Sequence, residues 1–513
     1  MDTNYAVEMR NITKTFGKIV ANSNVTLNIR KGEILSLLGE NGSGKTTIMN
    51  MLAGIYYPDS GSILINGKEE SISSPRDAYD LGIGMIHQHF KLVDIFSATE
   101  NVALGSNEKG RLSLKKVADK IREICDTYGF EIDPDKKVYN MSVSEKQTLE
   151  IVKVIYRGAD ILILDEPTAV LTPQETEKLF KVIRNMREAG KAVVIITHKL
   201  HEVLAISDRV TILRKGEFVG TVNTADATEH SLTEMMVGKK VELNIDRKEP
   251  ENIVRRLEVS HLTCNNKEGM VAVDDISFTA YGGEILGIAG ISGCGEKELL
   301  EAIAGLKKSA RGSVIFHNPK DDCDVELVGK NPREINELGV SLSFVPEDRL
   351  GMGLVGSMGM TENMLLRDYN KSGHIFIHKA KSKELAETIK DELDVVTPSI
   401  NTPVRRLSGG NVQKVLVGRE ISAAPSVLMT AYAVRGLDIN TSYAIYNLLN
   451  QQKEQGVAVI YVGEDLDVLL ALCDRIMVMC GGKVTGILNA RETTKEEIGL
   501  LMTGPAGEES RDE

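Results

Sequence analysis

Gly39-Glu40-Asn41-Gly42-Ser43-Gly44-Lys45-Thr46-Thr47 brings together the residue types needed to cradle a polyphosphate. The spacing is G-x-x-x-x-G-K-[ST], and only strand–loop–helix context gives that pattern a mechanism. Both flanks supply it. The apolar run Ile34-Leu35-Ser36-Leu37-Leu38 leads in, and Ile48-Met49-Asn50-Met51-Leu52-Ala53 leads out at helical spacing. A loop of this kind points backbone N–H groups at phosphate oxygens from a helix N-terminus. Gly39, Gly42 and Gly44 let the main chain turn tightly with no Cβ between it and the ligand. Lys45 would reach the β- and γ-phosphates, and Thr46 would hold Mg²⁺. These residues imply a nucleoside triphosphate ligand.

Two further elements must bring carboxylates and a base to that loop. Ile161 to Leu164 is an apolar strand ending in Asp165-Glu166. Its end suits Mg²⁺ binding through water by Asp165 and polarisation of an attacking water by Glu166. Ala192 to Thr197 is another strand, ending in His198, placed to meet the γ-phosphate from a second side. Helical, charge-rich segments at 113–128 and 145–156 form an insertion in an otherwise alternating α/β pattern.

At 513 residues the chain has room for two or more domains, each with its own core. With 42% hydrophobic and 26% charged residues, its composition is that of a globular protein. A net charge of −12 argues against a nucleic-acid partner held by phosphate contacts. No apolar run approaches the roughly 18 residues of a membrane span, and the N-terminus lacks a signal-peptide core. The six cysteines are scattered, as expected of reduced, mostly buried thiols in a cytoplasmic protein.

The second half repeats the order of the first. Ser207–Gly216 returns at Cys473–Gly482, an offset of 473 − 207 = 266, and the loop at Gly39 returns at Gly290, an offset of 290 − 39 = 251. Tandem duplication is therefore the expected architecture. The expected domains are 1–240 and 253–503, joined by a polar linker at 241–252 and followed by a flexible tail at 504–513.

Phosphate loop, glutamine loop at Gln88, the "LSGGN" run at 407–411, the Asp165-Glu166 strand end and His198 occur in an order that resembles the ATP-binding-cassette ATPases. The resemblance covers essentially the whole chain, twice. "DEPTAVLTP" and "VPEDR" (345–349) look like the fused double-cassette subunits of bacterial sugar and nucleoside importers. "GIGMIHQHFKLVDIFSATENVALG" (82–105) is most similar to the purine-nucleoside branch, where the sugar branch more often has "HQEL". The implied fold is α/β, two tandem P-loop NTPase domains. Each would have a RecA-like core, an antiparallel β subdomain and a helical signature subdomain. The implied cofactors are ATP and Mg²⁺. The implied partners are two transmembrane permease subunits and, indirectly, an extracytoplasmic solute-binding lipoprotein, with the chain at the cytoplasmic face of the membrane.

In this family ATP lies between two cassettes, and sorting the residues that way separates two composite sites. The first takes Lys45, Thr46, Gln88, Asp165, Glu166 and His198 from one half, with Gln88 also a metal-site residue. From the other half it takes Ser408, Gly409, Gly410 and Asp438. Phe16 falls where the family's adenine-stacking aromatic lies; a core phenylalanine is the other reading. The second site has Glu296 at the lysine position, Lys297 at the Mg²⁺-ligand position and Ala431-Tyr432 at the strand end. Glu347 stands at the glutamine-loop position and Glu464 at the histidine position. Its complement is "MSVSE", with Ser144 for a glycine and Thr172 for an aspartate. Two like charges at ~4 Å cost roughly 4 kcal/mol at an effective dielectric of 20, so Lys-to-Glu alone opposes phosphate. One hydrolytic site and one degenerate site are expected.

Other signals are weaker. His87 and His89 flank Gln88 without a helpful carboxylate and read as surface contacts. Met352, Met358, Met360 and Met364 read as core and interface filling, and Pro346 to Arg349 as loop structure. The expected function is an ATPase that drives nucleoside import, with monosaccharide import as the alternative. A tandem cassette working in translation or DNA repair is the reading from another class.

Overall fold

The computed structural model describes residues 5–503 apart from residues 18, 88–89, 105–112, 170, 239–244, 292, 320–322, 339 and 369–378. Gln88 and His89 lie outside the described residues, as does the expected tail. The chain divides into two compact units, Met1–Glu242 and Leu243–Glu513.

The first unit is built on a six-stranded sheet. Its strands run Glu217–Asn223, Arg209–Arg214, Ile34–Leu38, Ala192–Thr197, Ile161–Asp165 and Ile83–Ile86 across the sheet. All pairs are parallel except the first, which is antiparallel. Every residue of Ile34–Leu38 and Ala192–Thr197 is buried. That is why these strands read as continuous apolar runs and not as an alternation: helices cover one face, and a helix with the antiparallel sheet covers the other. One core layer gathers Leu35, Leu37, Ile48 and Ile163, and the other gathers Ile34, Leu162, Ile183 and Val193.

A second, antiparallel sheet pairs Ile19–Arg30 with Tyr5–Phe16, and that strand in turn with Ser60–Ile65, which pairs with Lys68–Glu70. The charge-rich segments are helices Leu114–Tyr128 and Val143–Tyr156, packed with the short helix Ala98–Ala103.

The second unit has the same layout. Its large sheet runs Lys483–Asn489, Arg475–Cys480, Ile285–Gly290, Ala458–Val462, Val427–Ala431 and Leu342–Val345, the order of the first unit strand for strand. Its antiparallel sheet pairs Val271–Gly282, Val254–Asn265, Ser309–His317 and Asp324–Glu326 in that order. The expected fold class, two tandem α/β cassettes, is present, one cassette in each unit.

Part of the expected linker is docked. Ile245 packs against the second unit's core. Lys453 Nζ donates to the Lys248 carbonyl at 2.6 Å, and Arg247 donates to the carbonyl of Leu470 at 3.1 Å. Polarity alone suggested a spacer, because side chains that anchor through backbone carbonyls look solvent-directed in a sequence. The cysteines also divide: Cys125, Cys264 and Cys473 are buried, whereas Cys323 is exposed.

Candidate nucleotide site

Ile34–Leu38 ends in the phosphate loop, at the carboxyl end of the parallel strands where ligands of open α/β sheets bind. Gly44 sits at φ 91° as the N-cap of helix Lys45–Leu52. A Cβ there would lie 2.4 Å from the Ala21 carbonyl oxygen, so the close approach admits only glycine. Asn22, fully buried, donates to the Gly44 carbonyl at 3.2 Å and fixes the loop to the antiparallel sheet. A Cβ on Gly39 would meet the Leu213 carbonyl oxygen at 2.3 Å. Glu40, Asn41, Ser43 and Thr47 complete the turn, with Asn41 and Gly42 exposed and Ser43 buried.

Lys45 Nζ folds back into the loop and donates to the carbonyls of Gly39 at 2.5 Å and Glu40 at 3.0 Å. Burial pulls its ammonium below the ordinary lysine range, opposed by the carboxylates of Glu166, Asp165 and Glu40. The cation is thus held by carbonyl acceptors that a phosphate can replace.

Asp165 and Glu166 stand at the end of Ile161–Asp165, as expected. Burial, and then the neighbouring Glu166, pushes the Asp165 carboxyl up to about 6, against a hydrogen bond from Thr46 and the charge of Lys45. Glu166 has φ 47°, and its N–H donates to the Ile196 carbonyl at 2.9 Å. That left-handed turn swings the side chain toward the next strand. There the Oε1 atom lies 3.0 Å from Nδ1 of half-exposed His198. The contact holds the Glu166 carboxyl below its usual range despite burial. Loop lysine, strand-end carboxylates and histidine are therefore assembled within one unit.

Phe16 is 43% exposed at the end of its strand, so it is not a core residue. It meets Tyr56 edge-on at 5.2 Å, and Lys14 lies 5.6 Å from its centroid. Lys14 lies over the ring, and the remaining exposure leaves part of its surface to solvent.

In the second unit, Ser408 caps helix Gly409–Ser422, accepting from the Asn411 N–H at 3.4 Å and from its side-chain amide at 2.8 Å. Asp438 caps helix Ile439–Glu454, accepting from the Thr441 N–H at 2.9 Å and its hydroxyl at 2.8 Å. Its carboxylate is therefore already engaged. The first unit's counterpart of the signature helix, Val143–Tyr156, carries a capping box instead. Ser142 N–H donates to Glu145 Oε2 at 2.7 Å, which sets a carboxylate at the helix N-terminus. Glu145 stands where Asn411 does, and its charge would repel a phosphate there.

The second unit's loop keeps its backbone and changes its side chains. Gly295 has φ 97°, and a Cβ on it would lie 2.1 Å from the Ala272 carbonyl oxygen. Tyr432 has φ 51° and donates its N–H to the Val462 carbonyl at 3.0 Å, matching Glu166. Glu347 and Glu464 both bind Arg435, at 2.6 Å and 3.2 Å. Arg435 escaped the sequence reading. Its signal was there: Ala169 is its counterpart at 435 − 169 = 266, so a cation appears beside two new carboxylates.

Sequence comparison agrees with this geometry. The ABC transporter family profile matches residues 22–169 and 273–430. The chain is 41% identical over 511 residues to the guanosine import ATP-binding protein NupO of Bacillus subtilis, covering 99% of each. It is 42% identical over 505 residues to the nucleoside import ATP-binding protein NupA of Lactococcus lactis, covering 97% of this chain and 98% of that one. It is 35% identical over 502 residues to the galactose/methyl galactoside import ATP-binding protein MglA of Clostridium perfringens, covering 97% and 95%. With an assembled phosphate-loop site in the first unit and the cassette fold in both, the chain belongs to the ABC transporter family and is one of its tandem-cassette ATPases.

Proposed function

We propose that the chain powers uptake of a nucleoside, a purine nucleoside foremost, through two transmembrane permease subunits at the cytoplasmic face of the membrane. An extracytoplasmic binding lipoprotein would deliver the solute. The support for nucleosides over sugars is the higher identity to guanosine and nucleoside import proteins, 41% and 42%, than to a galactoside import protein, 35%.

The single observation that carries the ATPase mechanism is Glu166 held 3.0 Å from His198 beside an intact phosphate loop. Ionised Glu166 is the base that orients a water and takes its proton, and His198 holds the carboxylate in position. Lys45 leaves its loop carbonyls for the β- and γ-phosphates, and the loop N–H groups bind the same oxygens. The oxygen donors Thr46 and Asp165 suit Mg²⁺, which takes few protein ligands and completes its shell with water and phosphate. Burial without a full counter-charge, visible in the raised Asp165, is what such an ion relieves. Bound there, Mg²⁺ would neutralise charge developing on the phosphates. Gln88 is assigned to the same site from the sequence. Ser408 with Gly409 and Gly410 is assigned as the second half's lid on the phosphates, and Asp438 as the carboxylate that shapes it. Phe16 is assigned to stack on adenine.

Permease contact is assigned to 89–104 and 348–364. Val93, Ile95 and Leu104 are exposed in the first segment. The second holds a cavity of about 510 Å³ beside Leu350, Met352 and Val355. Met360 and Met364 are buried, whereas Met352 and Met358 stay exposed on this surface.

Steady-state hydrolysis by the complex assembled with its permease tests the site. Glu166→Gln is expected to lower kcat by 10³-fold or more, and Tyr432→Phe less than about threefold. Near wild-type turnover in Glu166→Gln would sink the assignment. Uptake of labelled guanosine against galactose by reconstituted vesicles then decides the solute, and galactose uptake alone would favour the sugar reading.

A further inference from the structure

The second phosphate loop retains the turn that cradles an anion, yet its cradle is not open. Glu296, the first residue of helix Glu296–Ile303, is only 2% exposed. Its side chain curls back over the loop's first glycine: a Cβ on Gly290 would lie 2.3 Å from Glu296 Oε1. Burial raises the Glu296 carboxyl to about 7, and the backbone N–H groups of Glu296 and Cys294 offset that only in part. Oε1 has no hydrogen-bond partner among the described residues. A buried carboxyl with one unpartnered oxygen therefore lies over the loop's first glycine, in space that a phosphate would need.

The outer end carries an ion-pair cluster. Arg435 Nη1 lies 2.6 Å from Glu347 Oε1, and Arg435 Nε lies 3.2 Å from Glu464 Oε1. The guanidinium carbon is 5.7 Å from the Tyr432 ring centroid, and Arg349 donates to the Arg435 carbonyl. Glu347, Tyr432 and Glu464 stand at the positions that in the first unit are Gln88, Glu166 and His198, the groups assigned to the metal site, the base and the base's positioning. A guanidinium bridging two carboxylates there is satisfied without a ligand. The substitutions are coherent as one cluster: Glu347 and Glu464 share Arg435 as an ion-pair partner beside Tyr432.

We propose that the second nucleotide site is filled by the chain's own side chains. Glu296 takes the phosphate's place in the loop, and Arg435 ties the outer end shut, so the chain takes up one nucleotide. Built on the reading that the first loop binds ATP, this assigns the degenerate loop a latent anion site, opened by removing one side chain.

Hydrogen exchange on the full-length chain, with and without MgATP, reads the two loops separately. Peptides covering 39–47 are expected to gain at least tenfold protection, and those covering 290–297 less than twofold. Protection of both loops overturns the self-filled site and leaves the first-site reading intact. Protection of 290–297 alone overturns the first-site reading too. The second arm uses Glu296→Gly with pyrophosphate and MgATP as probes. Protection of 290–297 is expected to appear, with at least a tenfold fall in the pyrophosphate Kd of that loop. A folded Glu296→Gly protein that gains none overturns the proposal, and if the variant does not fold, the wild-type measurement decides alone.

Discussion

The two phosphate loops share a backbone and share almost no chemistry. Gly44 and Gly295 have φ of 91° and 97°, each pressed against a carbonyl, of Ala21 and Ala272. Glu166 and Tyr432 have φ of 47° and 51°, each donating its N–H across to the adjacent strand. Buried Glu33 pairs with Arg209, and buried Glu284 with Arg475, at matching places in the two sheets. What persists is what the sheet needs in order to turn into a helix. Left-handed backbone at a strand end is commonly read as strain stored for function. Here it persists at Tyr432, where no base remains, so the fold keeps it without that function.

The sharpest way to break the comparison is at the two signature helices. Arg at Ser408 would remove the cap of Gly409–Ser422 and place a long side chain at its N-terminus; Arg at Ser144 falls on a helix end already occupied by Glu145. Ser408→Arg is expected to lower ATP turnover of the assembled complex by 10²-fold or more, and Ser144→Arg by less than about threefold. Loss of the cap alone should cost only about 1 kcal/mol of stability, so a melting curve separates misfolding from lost catalysis. The opposite order of effects would mean that the halves are paired wrongly.

Next in size is a stability difference between the units. Asp208 and Asp474 each accept a strand N–H, from Ile34 and Ile285, at 2.8 Å. Asp208 pairs with half-exposed Arg187 at 3.0 Å. Asp474 pairs with Lys453 at 2.8 Å, and there the side chains are 6% and 3% exposed because Arg247 and Lys248 cover them. Lys453→Ala leaves a buried carboxylate unpaired and is expected to destabilise the second unit by about 3–5 kcal/mol. Arg187→Ala removes a surface pair and should cost about 0–1 kcal/mol. Urea unfolding followed by a reporter in each unit measures both. Equal losses would show that the docked segment 245–248 does not seal the second pair.

These pairs also mark what a sequence discloses. Strand, loop and helix around Gly39 were legible because apolar runs, glycines and Lys-Thr each report a local demand. So was the repeat, because equal spacing reports equal topology. Legible too were the losses at Glu296, Ala431 and Tyr432, since each is a change of residue type at a known place. Arg435 and the docking of 245–248 were not. Their meaning lies in partners 29 to 226 residues away, as in 464 − 435 = 29 and 473 − 247 = 226, and a polar residue looks alike whether it meets water or a buried carbonyl. Phe16 lay between these cases: its type allowed stacking or core, and only its exposure separated them.

The smallest effect probes the loop itself through pH. Burial, with a lesser push from Glu298, raises the Glu296 carboxyl to about 7 from an ordinary 4.5, against the N–H groups of Glu296 and Cys294. Because the folded value lies above the unfolded one, folding takes up a proton in the interval between them. The resulting stability is fully present below about pH 4.5 and is lost as pH rises through about 7. At 1.36 kcal/mol per unit, the span sets an upper limit of about 3 kcal/mol for the second unit. Urea midpoints of that unit are expected to fall between pH 5 and pH 8. Glu296→Gln, neutral at every pH, should flatten the slope. The first unit is the internal control, since its loop carries Lys45 and its raised carboxyl is Asp165, which Glu296→Gln does not touch. An unchanged slope in the second unit of Glu296→Gln would show that burial does not hold this carboxyl protonated in the folded unit.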